Sequence, residues 1–313
     1  MSIPVGTSVT LAVPASSANL GPGFDCVGLA LGVWDECTVT VTEQPGLQVE
    51  VTGSGADSVP RDESHLVVRT MATTWQHLDV TAPAGLRLEA TNAVPHGRGL
   101  GSSATAIVTG VAAAHALAVR GGALAGEELD LEVVNTIAAA LEGHPDNSSA
   151  SVFGGATLSV TEAGAPLPRT RTVPLRLDPR ITPVVLVPGT TLSTHTARSV
   201  LPEVVPLATA AANSARTGLL VHALTSAPEL LVDATADLLH QEARRPSYPE
   251  SMGLVDALRA AGLAATISGA GPSVLVLVDA DRVDEVRRVT VEVAAGWQVL
   301  TPGVPAHGVQ LRG

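Results

Sequence analysis

The sequence contains no lysine, and all 18 of its basic residues are arginine. A P-loop needs a lysine after its last glycine, so this type of nucleotide site is excluded. Any bound phosphate must instead be neutralised by backbone amides, by Mg²⁺ or by arginine. Aromatic residues make up only 2% of the chain, so the core must consist of Ala, Val and Leu, and base stacking on aromatic rings is not expected. The two cysteines lack a zinc-type spacing.

Charge and hydropathy exclude further classes of protein. The net charge of −12 argues against a nucleic-acid surface, so we expect no nucleic-acid partner. No basic segment followed by an apolar run marks a secretory signal at the N-terminus, and we expect a cytoplasmic protein. The most apolar stretch, 104–119, is too short and interrupted for a bilayer, so no membrane partner is expected. A length of 313 residues with 45% hydrophobic residues is enough for two folded domains.

The most informative segment that is present is a glycine-rich loop that runs into an alanine-rich helix. It reads Pro95, His96, Gly97, Arg98, Gly99, Leu100, Gly101, Ser102, Ser103. Glycines let the backbone approach a ligand closely, and a helix N-terminus favours an anion. The same residues also fit a tight turn with Ser102 as an N-cap. The loop alone therefore indicates either a phosphate site or a capped turn.

Three segments in order resemble the motifs of the GHMP small-molecule kinases. The glycine-rich loop is the central one. Residues 14–25 read Pro-Ala-Ser-Ser-Ala-Asn-Leu-Gly-Pro-Gly-Phe-Asp, and residues 268–273 read Ser-Gly-Ala-Gly-Pro-Ser. The first of these two runs, together with Glu-Gly-His-Pro-Asp-Asn at 142–147, is typical of the branch of the family that phosphorylates homoserine.

The resemblance implies an α+β, two-domain GHMP kinase fold. An N-terminal nucleotide-binding domain with a left-handed βαβ unit would span residues 1–167, and a ferredoxin-like domain 168–313. Apolar patterning separately predicts strands at 9–13, 37–42, 47–51 and 86–90. It predicts helices at 103–119, 131–141, 207–225 and 229–241, and a Pro- and Arg-rich connection at 162–183.

The implied activity is transfer of a phosphoryl group from ATP to the hydroxyl of L-homoserine, with Mg²⁺. The implied nucleotide-binding residues are Pro95, His96, Gly97, Arg98, Gly99, Leu100, Gly101, Ser102, Ser103, Gly269 and Gly271. By the same resemblance, Ser103 and Glu142 hold the metal, and oxygen ligands suit Mg²⁺. An isolated glutamate at a helix end would otherwise be assigned to the surface. The family's usual asparagine for the purine is replaced by His65, which leaves that contact open.

For an amino-acid substrate, Asn19 and Asp25 are suited to the ammonium, and Arg198 and Arg244 to the carboxylate. Arg245 adjoins Arg244, so the register is open by one residue. The implied substrate-binding set is Asn19, Asp25, His144, Thr194, Arg198 and Arg244. The implied catalytic set is Asn147, Asp146 and Arg198.

Three alternatives stay open at this stage. Asp146 is either a general base or a turn former beside an Asn147 that positions the hydroxyl, because phosphoryl transfer depends mainly on positioning and charge. The substrate is homoserine or another small alcohol such as mevalonate, which has no ammonium. A third reading is a non-catalytic protein of the same fold that binds a metabolite. A homodimer is compatible with each of them.

Overall fold

In a computed structural model of the protein, residues 2–165 and 167–312 are described, without the side chains of residues 194 and 195. Within these ranges the strands form two sheets, each covered by helices. This is the expected α+β organisation in two domains.

Within the described ranges, the first sheet has seven strands in the order β11-β1-β2-β4-β3, with β5 beside β2 and β6 beside β5. These strands are β1 Ser8–Ala18, β2 Val27–Val41, β3 Gly46–Gly53, β4 Gly85–Asn92, β5 Ala156–Glu162, β6 Arg169–Leu175 and β11 Gln310–Arg312. β3 and β4 run parallel, and helix α1 (Leu66–His77) connects them in a βαβ unit. Apolar patterning does not predict α1, because its sequence is rich in Val and Thr, which favour strands.

Three more helices belong to this domain: α2 (Ser102–Arg120), α3 (Leu131–Glu142) and α4 (Pro145–Phe153). α2 lies in the core because Ala, Val and Leu occupy nearly its whole circumference. Its length and composition would allow it to cross a membrane, so the prediction that it is too short was wrong. However, 78% of the most apolar 18-residue segment of α2 is buried inside the protein, as expected of a core helix.

The second sheet has the order β10-β7-β9-β8, and its neighbouring strands are antiparallel. They are β7 Ile181–Val187, β8 Ala264–Ile267, β9 Val274–Asp279 and β10 Gln298–Leu300. Its helices are α5 Thr194–Ser199, α6 Leu207–Thr225, α7 Leu231–Ala234, α8 Gln241–Arg244, α9 Pro249–Ala260 and α10 Val283–Val293. Leu20, Leu100 and Leu275 belong to one apolar cluster, so the two domains share a core around the glycine-rich loop.

Two predicted elements were wrong. The supposed connection at 162–183 contains β6, whose threonines alternate with arginines and whose Thr170 hydroxyl faces that of Thr161 on β5. The supposed helix at 229–241 is broken, because the Asp237 carboxylate accepts the N–H groups of Leu239, His240 and Gln241 and so folds the chain into a turn before α8. The domain division after residue 167 stays a prediction. β6 and β11 come after residue 167 in the chain, but they belong to the first sheet.

A buried carboxylate fixes the chain just before the glycine-rich loop. Asp35 Oδ1 on β2 accepts the N–H groups of Ala93 at 2.7 Å and Val94 at 2.8 Å. Burial raises the pKa of Asp35 to about 6, although these two hydrogen bonds oppose the shift. The charged form therefore costs free energy in the folded protein.

We expect Asp35→Asn to stabilise the protein at pH 8, because Asn keeps the accepting oxygen without the charge. The folded pKa of Asp35 lies above its unfolded value, so its contribution to stability is lost as pH rises from about 4 to about 6. The gain should be about 3 kcal/mol at pH 8 and should nearly vanish near pH 4. Urea unfolding at both pH values tests this, with Glu36→Gln as the exposed control on the same strand. An equal gain at both pH values would contradict the assignment.

Candidate active site

Three loops that are distant in sequence meet at one point between the sheets. Ser268 Oγ lies 2.6 Å from Gly99 O and 2.8 Å from Ser17 Oγ. Because a carbonyl only accepts, Ser268 donates to Gly99 and the Ser17 hydroxyl donates to Ser268. The backbone adds Ser16 N to Leu100 O at 3.2 Å. The N-terminal motif, the glycine-rich loop and the C-terminal glycine loop therefore hold one another in place.

Two glycines are required at this junction. Gly99 has φ +72°, and a Cβ there would lie 2.3 Å from Ser268 O. Gly101 has φ +70°, and a Cβ there would lie 2.2 Å from Ser16 Oγ. Gly101, not Ser102, is the N-cap of α2, so the N-cap reading of Ser102 was wrong. Among the described residues, none accepts the N–H groups of Ser102 and Ser103, which leaves them available to an anion.

These loops line a cavity of about 580 Å³, which contains most of the predicted site. Its predicted lining residues are Asn19, Asp25, Gly97, Gly99, Gly101, Ser102, Ser103, Glu142, His144, Asp146, Asn147, Arg198, Arg244, Gly269 and Gly271. Of the other predicted residues, Leu100 is buried in the core and Arg98 donates to Gly189 O at 3.1 Å. Pro95 lines neither this cavity nor the adjoining one, and the side chain of Thr194 lies outside the described residues.

A second cavity of about 990 Å³ adjoins the first and shares Gly97, Ser102 and Ser103 with it. Its wall combines apolar side chains of α1 and α2 with His65 and His96. Burial lowers the pKa of both imidazoles, so they are neutral near pH 7. Apart from His65, His96 and the three shared residues, sequence reasoning did not identify this wall, because its residues come from β2, β4, α1 and α2 without a common motif.

Oxygen ligands cluster where α2 begins and α3 ends. Ser103 Oγ donates to Glu142 Oε2 at 3.1 Å. Burial raises the pKa of Glu142 above its usual value, against the opposing effects of the His144 charge and the Ser103 hydrogen bond. A bound cation would relieve this cost. Glu142 is therefore not the surface residue that an isolated helix-end glutamate would be.

Asp146 and Asn147 lie in the first turn of α4, after Pro145 at its first position, and not in a separate turn. Asp146 Oδ1 accepts from His144 Nδ1 and from the Asn147 N–H, each at 2.8 Å. Burial alone would lower the pKa of His144, but the hydrogen bond and charge of Asp146, helped by Glu142, raise it. His144 and Asp146 thus form a charged or strongly polarised pair at the cavity wall.

Asp25 and Arg198 form a two-point ion pair across the cavity. Arg198 Nη2 is 2.5 Å from Asp25 Oδ1, and Nη1 is 3.2 Å from Oδ2. Asn19 supports this pair from behind. It accepts the Asp25 N–H at 3.0 Å and donates to Gly269 O at 3.1 Å. Both ends of the Asn19 amide are therefore engaged in holding the loop.

The adjacent residues Arg244 and Arg245 lie in different environments. Arg244 is 1% exposed, lines the cavity and donates to Ala197 O at 2.8 Å. Its Nη1 also donates to His240 Nδ1 at 3.1 Å, since His240 Nε2 donates to Gly21 O. Arg245 instead pairs with Glu242 and Asp256 on the surface.

The comparisons with known proteins point to one family. Residues 65–155 match the model for the GHMP kinases N terminal domain, and residues 215–291 match that for the GHMP kinases C terminal. The chain belongs to the GHMP kinase family. It is 46% identical over 304 residues to a homoserine kinase of Streptomyces avermitilis, which covers 97% of this chain and 95% of that protein.

Further relatives extend the agreement. A homoserine kinase of Streptomyces coelicolor is 49% identical over 279 residues, covering 89% of this chain and 87% of that one. A crystal structure of homoserine kinase from Cytophaga hutchinsonii superimposes with a TM-score of 0.82 at 24% identity, covering 99% and 98% of the two chains. That structure supports the fold of the GHMP kinase described here.

We expect Arg244→Ala to lower the free energy of unfolding by about 2 kcal/mol, because Ala197 O loses its partner in a buried site. Arg245→Ala is the matched control and should change it by less than about 1 kcal/mol, since its ion pairs are exposed. Urea unfolding of both variants measures the difference. Equal losses would place Arg244 outside the buried network.

Proposed function

We propose that this GHMP kinase transfers the γ-phosphoryl group of ATP to the hydroxyl of L-homoserine and yields O-phospho-L-homoserine. One observation carries the proposal. A carboxylate, Asp25, and two guanidinium groups, Arg198 and Arg244, line the same cavity as the N-terminus of α2. A zwitterionic amino acid and a phosphate chain can therefore meet in one space. The homoserine kinase relatives support the same substrate.

The nucleotide fits the two adjoining cavities. Its phosphates would lie against the N–H groups of Ser102 and Ser103, where the helix dipole adds positive potential to that of the arginines in this lysine-free, acidic protein. Its base would occupy the larger cavity beside His65 and His96. A neutral imidazole in place of asparagine still offers a donor and an acceptor.

Ser103 and Glu142 fit a magnesium ion, because two oxygen ligands lie 3.1 Å apart and burial disfavours the uncompensated Glu142 charge. When bound, Mg²⁺ would neutralise charge on the nucleotide phosphates. The protein's own contribution is to hold these two oxygens beside the amides at the start of α2.

The acceptor would be held through both of its charges. We assign the ammonium to Asp25 and the carboxylate to Arg198 and Arg244, whose planar forks suit a carboxylate. In the ligand-free protein Asp25 and Arg198 satisfy each other. A zwitterion can replace both members of that pair at once. An alcohol with only one charge would leave one member unpaired.

The transfer step depends on positioning of the acceptor hydroxyl and not on a general base. The homoserine oxygen attacks the γ-phosphorus, the bond to the bridging oxygen of ADP breaks, and the hydroxyl proton passes to a phosphoryl oxygen. Asn147 would position the hydroxyl. Asp146 Oδ1 already accepts from His144 and from the Asn147 N–H, which favours a supporting role over that of a general base.

The alternatives differ from this proposal in measurable ways. Mevalonate has no ammonium group, so a mevalonate kinase would not need Asp25 as an ammonium partner. A non-catalytic protein would not need Glu142 and Ser103 as ligands of a catalytic Mg²⁺. A cytoplasmic location and a homodimer stay predictions from the sequence.

The test is a coupled ADP-release assay with homoserine, 4-hydroxybutyrate and mevalonate, with Mg²⁺ present or omitted. 4-Hydroxybutyrate is homoserine without its ammonium and is the matched control. We expect kcat/KM for homoserine to exceed the other two by more than about a hundredfold, with O-phospho-L-homoserine identified by mass spectrometry. Equal turnover of mevalonate, or nucleotide binding without any ADP release, would refute the proposal.

A further inference from the structure

Ser16 connects the N-terminal motif to the residue that faces the acceptor. It lies on β1, is fully buried, and donates from Oγ to Asn147 Oδ1 at 3.0 Å. The two residues are 131 positions apart, so no local pattern reveals the contact. Ser16 is not among the residues that line the cavity, whereas Asn147 is.

This bond decides which end of the Asn147 side chain faces the cavity. An amide presents an oxygen that accepts at one end and an NH₂ group that donates at the other. Because Oδ1 is held by Ser16, Nδ2 is turned away from β1. Among the described residues, none accepts from Asn147 Nδ2, and this atom is not buried. The NH₂ group is therefore available to a ligand.

Ser16 is itself held firmly. Its N–H donates to Leu100 O at 3.2 Å, and its Oγ lies 3.3 Å from Ser151 Oγ of α4. A Cβ at Gly101 would come within 2.2 Å of the same Oγ. The hydroxyl is thus enclosed between the glycine-rich loop and α4. One side chain links the phosphate-binding loop to the residue that faces the acceptor.

We propose that Ser16 is a positioning residue, which holds Asn147 so that its NH₂ group donates to the oxygen of the acceptor hydroxyl. The inference rests on the proposed homoserine kinase activity. It also limits the chemistry of Asn147, because a side chain that presents NH₂ cannot accept the hydroxyl proton. Asn147 then orients the attacking oxygen, and the proton leaves to the phosphoryl group.

The chain offers a matched control for this bond. Ser149 Oγ donates to Asn135 Oδ1 at 2.8 Å, and both residues are fully buried in the same domain. Neither lines the cavity. Ser149→Ala therefore removes a buried serine-to-asparagine hydrogen bond without touching the site, and measures the purely structural cost.

The experiment compares Ser16→Ala with Ser149→Ala for homoserine phosphorylation and for unfolding by urea. We expect Ser16→Ala to lower kcat about tenfold to a hundredfold with KM for ATP and homoserine nearly unchanged, and Ser149→Ala to keep kcat. In an Asn147→Ala background, Ser16→Ala should cause no further loss, because its only catalytic partner is gone. Equal kcat values in the two single variants, or a full additional loss in the double variant, would overturn the inference.

A second arm does not depend on folding of the Ser16 variant. Asn147→Asp keeps the oxygen that Ser16 holds but replaces NH₂ with a second accepting oxygen. We expect it to lose as much kcat as Asn147→Ala. Full activity of Asn147→Asp would show that this side chain accepts, and would overturn the inference. Absence of homoserine phosphorylation by the unmodified protein would instead refute the proposed function.

Discussion

The hydrogen bond from Ser268 to Gly99 is the contact on which the rest of the site depends. It is possible only because residue 99 has no Cβ, which would lie 2.3 Å from the backbone carbonyl oxygen of Ser268, the residue whose hydroxyl donates. With this contact made, the glycine-rich loop lies against the C-terminal loop, and Leu100 enters the core shared by the two domains. The start of α2 is then directed into the cavity. Packing of the domains and the proposed binding of phosphate both depend on the same close approach.

The composition of the chain explains why the site is built from backbone and arginine. Without lysine, and with a net charge of −12, the protein has to concentrate positive potential locally. It does so with the amides at the N-terminus of α2, which have no partner among the described residues, and with Arg198 and Arg244, which line the same cavity. The Asp25 carboxylate balances the charge of Arg198 within the cavity wall. Arg245, one residue away, takes no part because Glu242 and Asp256 hold it on the surface.

Much of the fold and of the site could be predicted from the sequence, for different reasons. Strand alternation located β1, β3 and β4, and helical periodicity located α2 and α6. The loop motifs located the cavity wall because glycines and serines there serve backbone geometry. The predicted helix at 229–241 was wrong, since periodicity does not reveal that the Asp237 side chain folds a turn there. The Ser16–Asn147 bond and the register of Arg244 depend on how distant segments pack, which no local pattern encodes.

The central claim is that close approach at Gly99 builds the phosphate site. Gly99 and Gly122 share φ +72°, but a Cβ at Gly122 meets nothing within 4 Å. Gly99→Ala and Gly122→Ala therefore both place a Cβ at the same positive φ, but only Gly99→Ala adds a clash with a neighbouring loop. Calorimetric titration with MgATP should show binding weakened by about a hundredfold or more in Gly99→Ala, as two or more charge-assisted hydrogen bonds are lost, and nearly unchanged in Gly122→Ala. Equal affinities in the two folded variants would contradict the account.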